Sequence, residues 1–287
     1  EEVMIKSLGK APYQKRNGKK NIFETISSCR LTHHEHFVIK AKCKALNIDL
    51  LSSPFDLISA KFLIEKLKIS IIKIPSGEIT NYPLIEFIAK KNIPVIMSTG
   101  MSNIKEINDT LKIFKRNNHT KKKILLHCTT SYPTRKEDVN LNAIKTLQVK
   151  FGIEVGYSDH TKDHLAAVGA LSMGATVIEK HITLNNNLKG PDHKASLNPK
   201  NFINFCKILR DTKIMLGNGR KKISNSEKEN IRFARKSIVA KKKILKGEKF
   251  SYNNITTKRA GRNNSAMKWR KVIGTISKKN YEPDQIV

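Results

Sequence analysis

From residue 48 onward the chain alternates short apolar runs with longer amphipathic ones, and this alternation constrains the fold more than any other feature. The short runs are IDLLSSPF (48–55), SIIKIPS (70–76), PVIMSTG (94–100), KILLHCTT (123–130), EVGYSDH (154–160) and TVIEKHI (176–182). They are β-prone and largely apolar on both faces, the pattern of parallel strands covered by helices. Between them lie the helix-like runs DLISAKFLIEKL, NYPLIEFIAKK, NIKEINDTLKIFKR, VNLNAIKTLQVKF and KDHLAAVGALSM. A last helix is predicted over NPKNFINFCKILRDTKIML, with Asn198 as its cap and Pro199 in the first helical position. Six strand–helix units are visible, and a closed (β/α) barrel needs eight. Upstream, THHEHFVIKAKCKALN (32–47) reads as a helix, and residues 1–31 offer no clear buried strand. The α/β pattern therefore admits two architectures: an open doubly wound sheet, or a TIM barrel without its first strands. No GxGxxG follows any strand, which weakens a dinucleotide-binding version.

The pattern changes near residue 217. GNGRKKISNSEKENIRFARK is polar and reads as a linker with a short helix. RKSIVAKKKILKGEKFSYNNITTKRAG then gives short strand-like runs with turn signals at KGE and NN. The expected organisation is a partial barrel over 1–216, a linker over 217–232 and a small β-rich domain over 233–287.

Composition narrows the function classes. Four cysteines with no CxxC pair argue against a disulfide framework or a zinc knuckle and fit a reducing cytoplasmic setting. The opening EEVMIKSLGK has no apolar core of signal-peptide length, and no run approaches a membrane span. The formal charge of +31 raises nucleic-acid binding. The lysines are spread along a Lys-, Asn- and Ile-rich chain, aromatics are 6%, and no basic-aromatic interleaving occurs. The expectation is no nucleic acid and no membrane, with a positive field that attracts small anionic substrates.

In a parallel barrel, active-site groups collect at the C-terminal ends of strands. Here those ends read KIPSGE, STG, HCTTSYP, GYSDHT and EKHIT. Alternation puts Ser158 and His160 on one face of their strand, and Glu179 and His181 on one face of theirs. Each histidine alone reads as well as a polar residue bonded to a loop. Together, at the ends of adjacent strands, they suit a divalent transition metal completed by water and a substrate oxygen. His33, His34 and His36 bunch at a helix start and read as solvated. His164 reads as surface and His127 as a polar group of the core. Lys73 interrupts an apolar strand, so its ammonium needs an anion: a substrate phosphate or carboxylate, or a structural partner such as Glu179. Ser76, Thr99, Thr130 and Ser158 are small hydroxyl residues at strand ends, suited to phosphate oxygens or to turns. Glu78 and Asp192 fall in loops, where carboxylates bind sugar hydroxyls or move protons.

KIPSGEITNYPLIEFIAKKNIPVIMSTGM, LLHCTTSYPT, EDVNLNAIKTL, VGYSDHT, GATVIEKHITL and GPDHKASL closely resemble the sialic acid synthase family, which includes legionaminic and pseudaminic acid synthases. The resemblance runs from about residue 10 to the C-terminus, and the tail resembles the family's antifreeze-like SAF domain. It implies a TIM barrel followed by that small β-rich domain. It also implies an enzyme that condenses phosphoenolpyruvate with the open-chain aldehyde of an N-acetylated amino sugar. C3 of phosphoenolpyruvate attacks the aldehyde, water adds at C2, and phosphate leaves by C–O cleavage. N-acetylneuraminate synthesis from N-acetylmannosamine is the first expectation; a diacetamido hexose leading to legionaminic or pseudaminic acid, or a noncatalytic fragment, are the alternatives.

Carried onto this chain, the resemblance makes His160 and His181 ligands of a divalent metal, typically Mn²⁺. Lys73 becomes a phosphoenolpyruvate ligand, with Ser76, Thr130 and Ser158 around the same anion. Tyr132 lies near both substrates, Glu78 and Asp192 contact the amino sugar, and Lys73, Glu78, Tyr132 and Asp192 form the catalytic group. Arg259 reaches the neighbouring subunit's site in a domain-swapped homodimer. Three departures stand out. The family's opening Glu-Ala-Gly…Asn-His-Asn-Gly and Lys-Phe-Gln motifs are absent, so the chain reads as a fragment or a truncated product. Thr130 stands where asparagine is common. The KRPG segment is KRAG, with Ala260 replacing proline.

Overall fold

The computed structural model describes residues 29–190, 192–261 and 265–287, together with Val3 and Ser27. The expectation that residues 1–31 hold no strand lies almost wholly outside the described residues. The chain divides into two compact units, Glu1–Gly217 and Asn218–Val287.

The first unit begins with α1 (His33–Ala45), whose Thr32 and Glu35 form a reciprocal capping box. α2 (Leu57–Lys61) starts on an Asp56 cap and runs into a π-helical turn, Phe62–Lys66. Then strands and helices alternate: β1 (Ile72–Ile74), α3 (Tyr82–Lys91), β2 (Val95–Ser98), α4 (Ile104–Arg116), β3 (Lys123–His127), α5 (Asn142–Phe151), β4 (Glu154–Asp159), α6 (Leu165–Ser172), β5 (Ile178–Lys180) and α7 (Pro199–Leu216). The local signals are readable in the sequence. Asn81, Asn103 and Asn198 cap α3, α4 and α7 through their side chains, each interaction worth about 1 kcal/mol. α3 stops at Asn92, which takes the left-handed conformation, φ 48°.

The five strands form one curled parallel sheet in the order β1-β2-β3-β4-β5. A doubly wound sheet reverses its order at a switch point; this one never does, so it is a half-barrel wall. One expected strand is missing. Residues 48–54 form no strand and no helix. Among the described residues, one backbone bond ties them to the sheet, from Lys73 N to Ser52 O at 3.4 Å. Pro54 removes a donor there, and Ile48 and Leu51 stay exposed.

Alternation divides the sheet into two cores. Ile72, Ile74, Val95, Met97, Leu125, Val155 and Tyr157 face the helices and join the main cluster with Leu84, Ile88, Phe114 and Ile144. Ile96, Ile124 and Leu126, with Ile71 and Val177, fill the concave side as a separate small cluster. Gly156 makes that filling possible: a Cβ there would lie 2.5 Å from the Val177 carbonyl oxygen and 2.6 Å from a Leu126 methyl.

The second unit contains α8 (Asn225–Ala234), the antiparallel pair β6 (Lys236–Ala240) and β7 (Ile255–Arg259), and α9 (Trp269–Val272). Its own core is Ile238, Ala240, Ile244, Phe250 and Ile255, with Trp269 and Tyr281 packed against it. No helix among the described residues is long and apolar enough to cross a membrane.

Candidate active site

The concave face of the half-barrel carries its apolar cluster low down and polar groups at the C-terminal strand ends. The register dictates this. Lys73 and Ser98 share that face with Ile96, while Ser158 and Glu179 are direct partners across β4 and β5. Lys73 Nζ donates to Ser98 Oγ at 2.7 Å and lies 3.4 Å from Glu179 Oε2. Ser158 Oγ donates to Glu179 Oε1 at 2.6 Å. The four side chains form one continuous polar row. Glu179 is thus the structural partner expected for Lys73, and its carboxylate keeps 42% exposure.

His160 follows β4 immediately. Its Nδ1 lies 2.7 Å from the Thr129 carbonyl oxygen. That acceptor requires a proton on Nδ1 and leaves Nε2 with a lone pair. Nε2 lies 3.3 Å from Ser158 Oγ, but that hydroxyl has one proton and the nearer Glu179 takes it. Burial holds the His160 imidazole below its ordinary pKa; the neighbouring His181 acts the same way, and the Thr129 carbonyl opposes both. A neutral ring with a lone pair aimed into a polar cleft is a cation ligand in form.

His181 follows β5 immediately. Leu197 N donates to its carbonyl and Thr183 N donates back to Leu197 O, so the loop 182–197 returns and brackets the strand end. The two imidazoles meet edge to face with centroids 5.4 Å apart. An ion about 2.1 Å from one nitrogen of each ring holds two centroids roughly 5 Å apart. Tyr132 lies against both, 4.3 Å from the His160 ring and 5.5 Å from the His181 ring. Asp192 Oδ2 stands 4.0 Å from His181 Nδ1. No three His, Cys, Asp or Glu side chains among the described residues gather as a metal cage. The residues fit an ion that takes two imidazole nitrogens and completes its shell with other oxygens.

A second set of donors lies at the ends of β1, β2 and β3. Gly100 N donates to Ser76 Oγ at 3.0 Å, and Ser76 Oγ lies 3.3 Å from Cys128 Sγ. The buried Thr130 hydroxyl has no partner among the described residues. A Cβ on Gly100 would collide with Thr130 Oγ1 and come within 2.9 Å of Ser76 Oγ. Only glycine lets the β2 end approach these hydroxyls so closely.

The remaining expectations divide. Glu78 sits in a 3₁₀ turn and accepts at 2.6 Å from Nδ2 of Asn81, the α3 cap. Arg259 ends β7 in the other unit and is exposed. His127 is the polar core group expected, bonded through Nε2 to Val139 O. His164 is exposed. His33 and His34 are exposed, as expected of solvated residues, and His36 is half-buried; His33 also stacks on Phe62 at 3.8 Å and His36 meets the same ring edge-on. Sequence reasoning missed Ser98, whose signal was its place two residues after Ile96. It also missed Asp159 and Lys180, and the Thr129 carbonyl, a backbone atom that no side chain announces.

Comparison with known proteins places the chain in a family. The chain is 44% identical to the N,N'-diacetyllegionaminic acid synthase of Campylobacter jejuni over 97% of its own length and 84% of the relative's. It is 38% identical to the Legionella pneumophila protein of the same name, over 95% of this chain and 78% of that one. The crystal structure of the N-acetylneuraminic acid (sialic acid) synthetase of Leptospira borgpetersenii superposes with a TM-score of 0.68 at 32% identity, covering 77% of each chain. The NeuB family model matches residues 1–221. With its strand-end imidazoles and polar row in place, this chain belongs to the NeuB family.

Proposed function

We propose that the protein is a nonulosonic acid synthase that condenses phosphoenolpyruvate with a 2,4-diacetamido hexose to give a legionaminic acid. The observation that carries the reading is one cleft holding an ammonium–hydroxyl–carboxylate row beside two paired imidazoles. The two relatives named for N,N'-diacetyllegionaminic acid favour the diacetamido sugar over the N-acetylmannosamine of the first expectation. N-acetylneuraminate synthesis is the second reading, supported by the Leptospira structure.

In this reading Lys73 and the Ser98 hydroxyl hold an anionic group of phosphoenolpyruvate by charge-assisted hydrogen bonds, and Ser158 joins them when its hydroxyl turns from Glu179 to the ligand. The Ser76, Gly100 and Thr130 corner receives its second anionic group. The C2–C3 electron pair then forms the new bond at the sugar aldehyde carbon, and the aldehyde oxygen takes a proton. Water adds at C2, and the C–O bond to phosphate breaks. Glu179 lies between Lys73 and Ser158, where it accepts or returns a proton. Tyr132 covers the imidazoles, and Asp192 reaches sugar hydroxyls from the opposite loop. Bound by His160 and His181, a divalent cation such as Mn²⁺ supplies Lewis-acid polarisation of a carbonyl oxygen. The second unit, with its separate core and short paired strands, acts as an SAF domain. Exposed Arg259 then serves a neighbouring subunit in a homodimer.

The test is phosphate release from phosphoenolpyruvate, with 2,4-diacetamido-2,4,6-trideoxymannose or N-acetylmannosamine, in Mn²⁺ or in EDTA. Faster Mn²⁺-dependent release with the diacetamido sugar is expected. Preference for N-acetylmannosamine would move the protein to the second reading. Release unaffected by EDTA would remove the metal.

A further inference from the structure

We propose that Asp159 and Lys180, on the helix-facing side of the sheet, are positioning residues for the paired imidazoles. The proposal rests on the reading above, because it concerns the site formed by His160 and His181.

The two residues are direct partners across β4 and β5. Lys180 Nζ lies 2.8 Å from Asp159 Oδ2, with side-chain exposures of 1% and 0%. Each then binds the loop that leaves β4. Asp159 Oδ1 accepts from Thr161 N at 2.9 Å and from Thr161 Oγ1 at 2.8 Å. Lys180 Nζ donates to the carbonyl oxygens of Thr161 and Asp163. The Phe205 ring of α7 lies 5.7 Å from the same ammonium. All three ammonium donors therefore have acceptors.

His160 is enclosed by this network. The residue before it is Asp159 and the residue after it is Thr161, and both are anchored to Lys180. His181 directly follows Lys180 in the chain. One ion pair thus ties together the two backbone segments that carry the two rings, from the side opposite the cleft. The rings and the pair are on opposite faces, so the pair can set their spacing without touching anything bound between them.

Stability alone is a poor account of the pair. The same face is otherwise Ile72, Ile74, Val95, Met97, Leu125, Val155 and Ile178, with Tyr157, His127 and, at the far end of β3, Lys123. A buried ion pair is often replaced by apolar residues of similar volume at no loss of stability. Charge on this face occurs at Lys123, at the N-terminal start of β3, and at the two positions adjoining the imidazoles, where alone it forms a sealed ion pair. Outer hydrogen bonds that orient metal-binding side chains commonly change metal affinity 10- to 100-fold when removed.

The experiment compares the unaltered chain with the double variant Asp159→Asn/Lys180→Met. Removing both charges leaves neither one buried alone, so this variant avoids most of the destabilisation expected of a single replacement. Two readouts are taken. Long-range ¹H–¹⁵N spectra of the imidazoles in metal-free protein report the His160 Nδ1–H bond to Thr129 and the surroundings of both rings. Titration with Mn²⁺ followed by electron paramagnetic resonance reports affinity. We expect shifted His160 and His181 imidazole resonances and Mn²⁺ binding weakened roughly 10-fold or more, with kcat falling more than the KM for phosphoenolpyruvate changes. Superimposable imidazole spectra and an unchanged Mn²⁺ affinity, whatever the melting temperature, would overturn the proposal. If the unaltered protein takes up no Mn²⁺, the metal assignment fails, and the metal-free spectra still decide the positioning role.

Discussion

Two lysines lie on opposite faces of the same sheet, each beside a carboxylate, and they are treated differently. Lys180 faces the helices with every ammonium donor bound to protein oxygen and its carboxylate sealed from solvent. Lys73 faces the cleft with one hydroxyl at 2.7 Å and a carboxylate at 3.4 Å that remains 42% exposed. A saturated buried charge holds structure. An unsaturated one beside an open carboxylate still has donors for a ligand, the role proposed for Lys73. Burial alone does not separate these roles, since both lysines are buried; the count of satisfied donors does.

The largest expected effect tests the open side. Lys73→Met should lower kcat/KM for phosphoenolpyruvate on the order of 10²–10³-fold while the urea midpoint stays near that of the unaltered chain. A large loss of stability with near-normal turnover would reverse the two roles. His160→Ala and His181→Ala should each abolish Mn²⁺-dependent phosphate release; near-native turnover of either in the same metal would break the two-imidazole assignment. The sealed side is tested by Lys180→Met alone. It strands a buried carboxylate and should cost about 3–5 kcal/mol of unfolding free energy by denaturant titration. A cost under about 1 kcal/mol would show that water reaches Asp159, against its 0% side-chain exposure.

A smaller effect belongs to the concave core. Gly156→Ala should destabilise by about 1–3 kcal/mol, because its new methyl meets the Val177 carbonyl and Leu126. The smallest is a slope with pH. Burial is the main cause holding His127 and His119 below the ordinary imidazole pKa. Below about pH 6.5 the unfolded chain therefore binds protons that the folded one resists. Stability should be full above that pH and fall as the solution is acidified toward the lowered values, and His127→Gln should flatten part of the slope. An unchanged slope would place the titration elsewhere.

Much of this was legible because local rules agree with the fold. Asn81, Asn103 and Asn198 announce three helix starts, and period-two alternation places Ser158 with His160 and Glu179 with His181 on common faces. The Lys73–Glu179 contact was within reach as well, since a lysine in an apolar strand requires an anion. The failures have physical causes. Residues 48–55 have strand composition, but pairing is a property of neighbours, and the observed contact reduces to one backbone bond. The Asp159–Lys180 pair was hidden because alternation assigns faces without giving the register between strands. Its two members are 21 positions apart, and only the pairing of β4 with β5 makes them opposite. Thr129 was invisible because its carbonyl, present in every residue, does the work.

The unpartnered Thr130 hydroxyl has a thermodynamic consequence. A buried hydroxyl without an acceptor costs about 1–3 kcal/mol, and that cost weighs on the folded protein before any ligand arrives. A ligand oxygen placed against it relieves the cost in the folded state alone, because the unfolded chain has no such corner. Substrate and fold are thereby linked: phosphoenolpyruvate should raise the melting temperature in proportion to the logarithm of its concentration above Kd. The corner that lowers the resting protein's stability thus makes the protein's own thermal unfolding a sensor of occupancy.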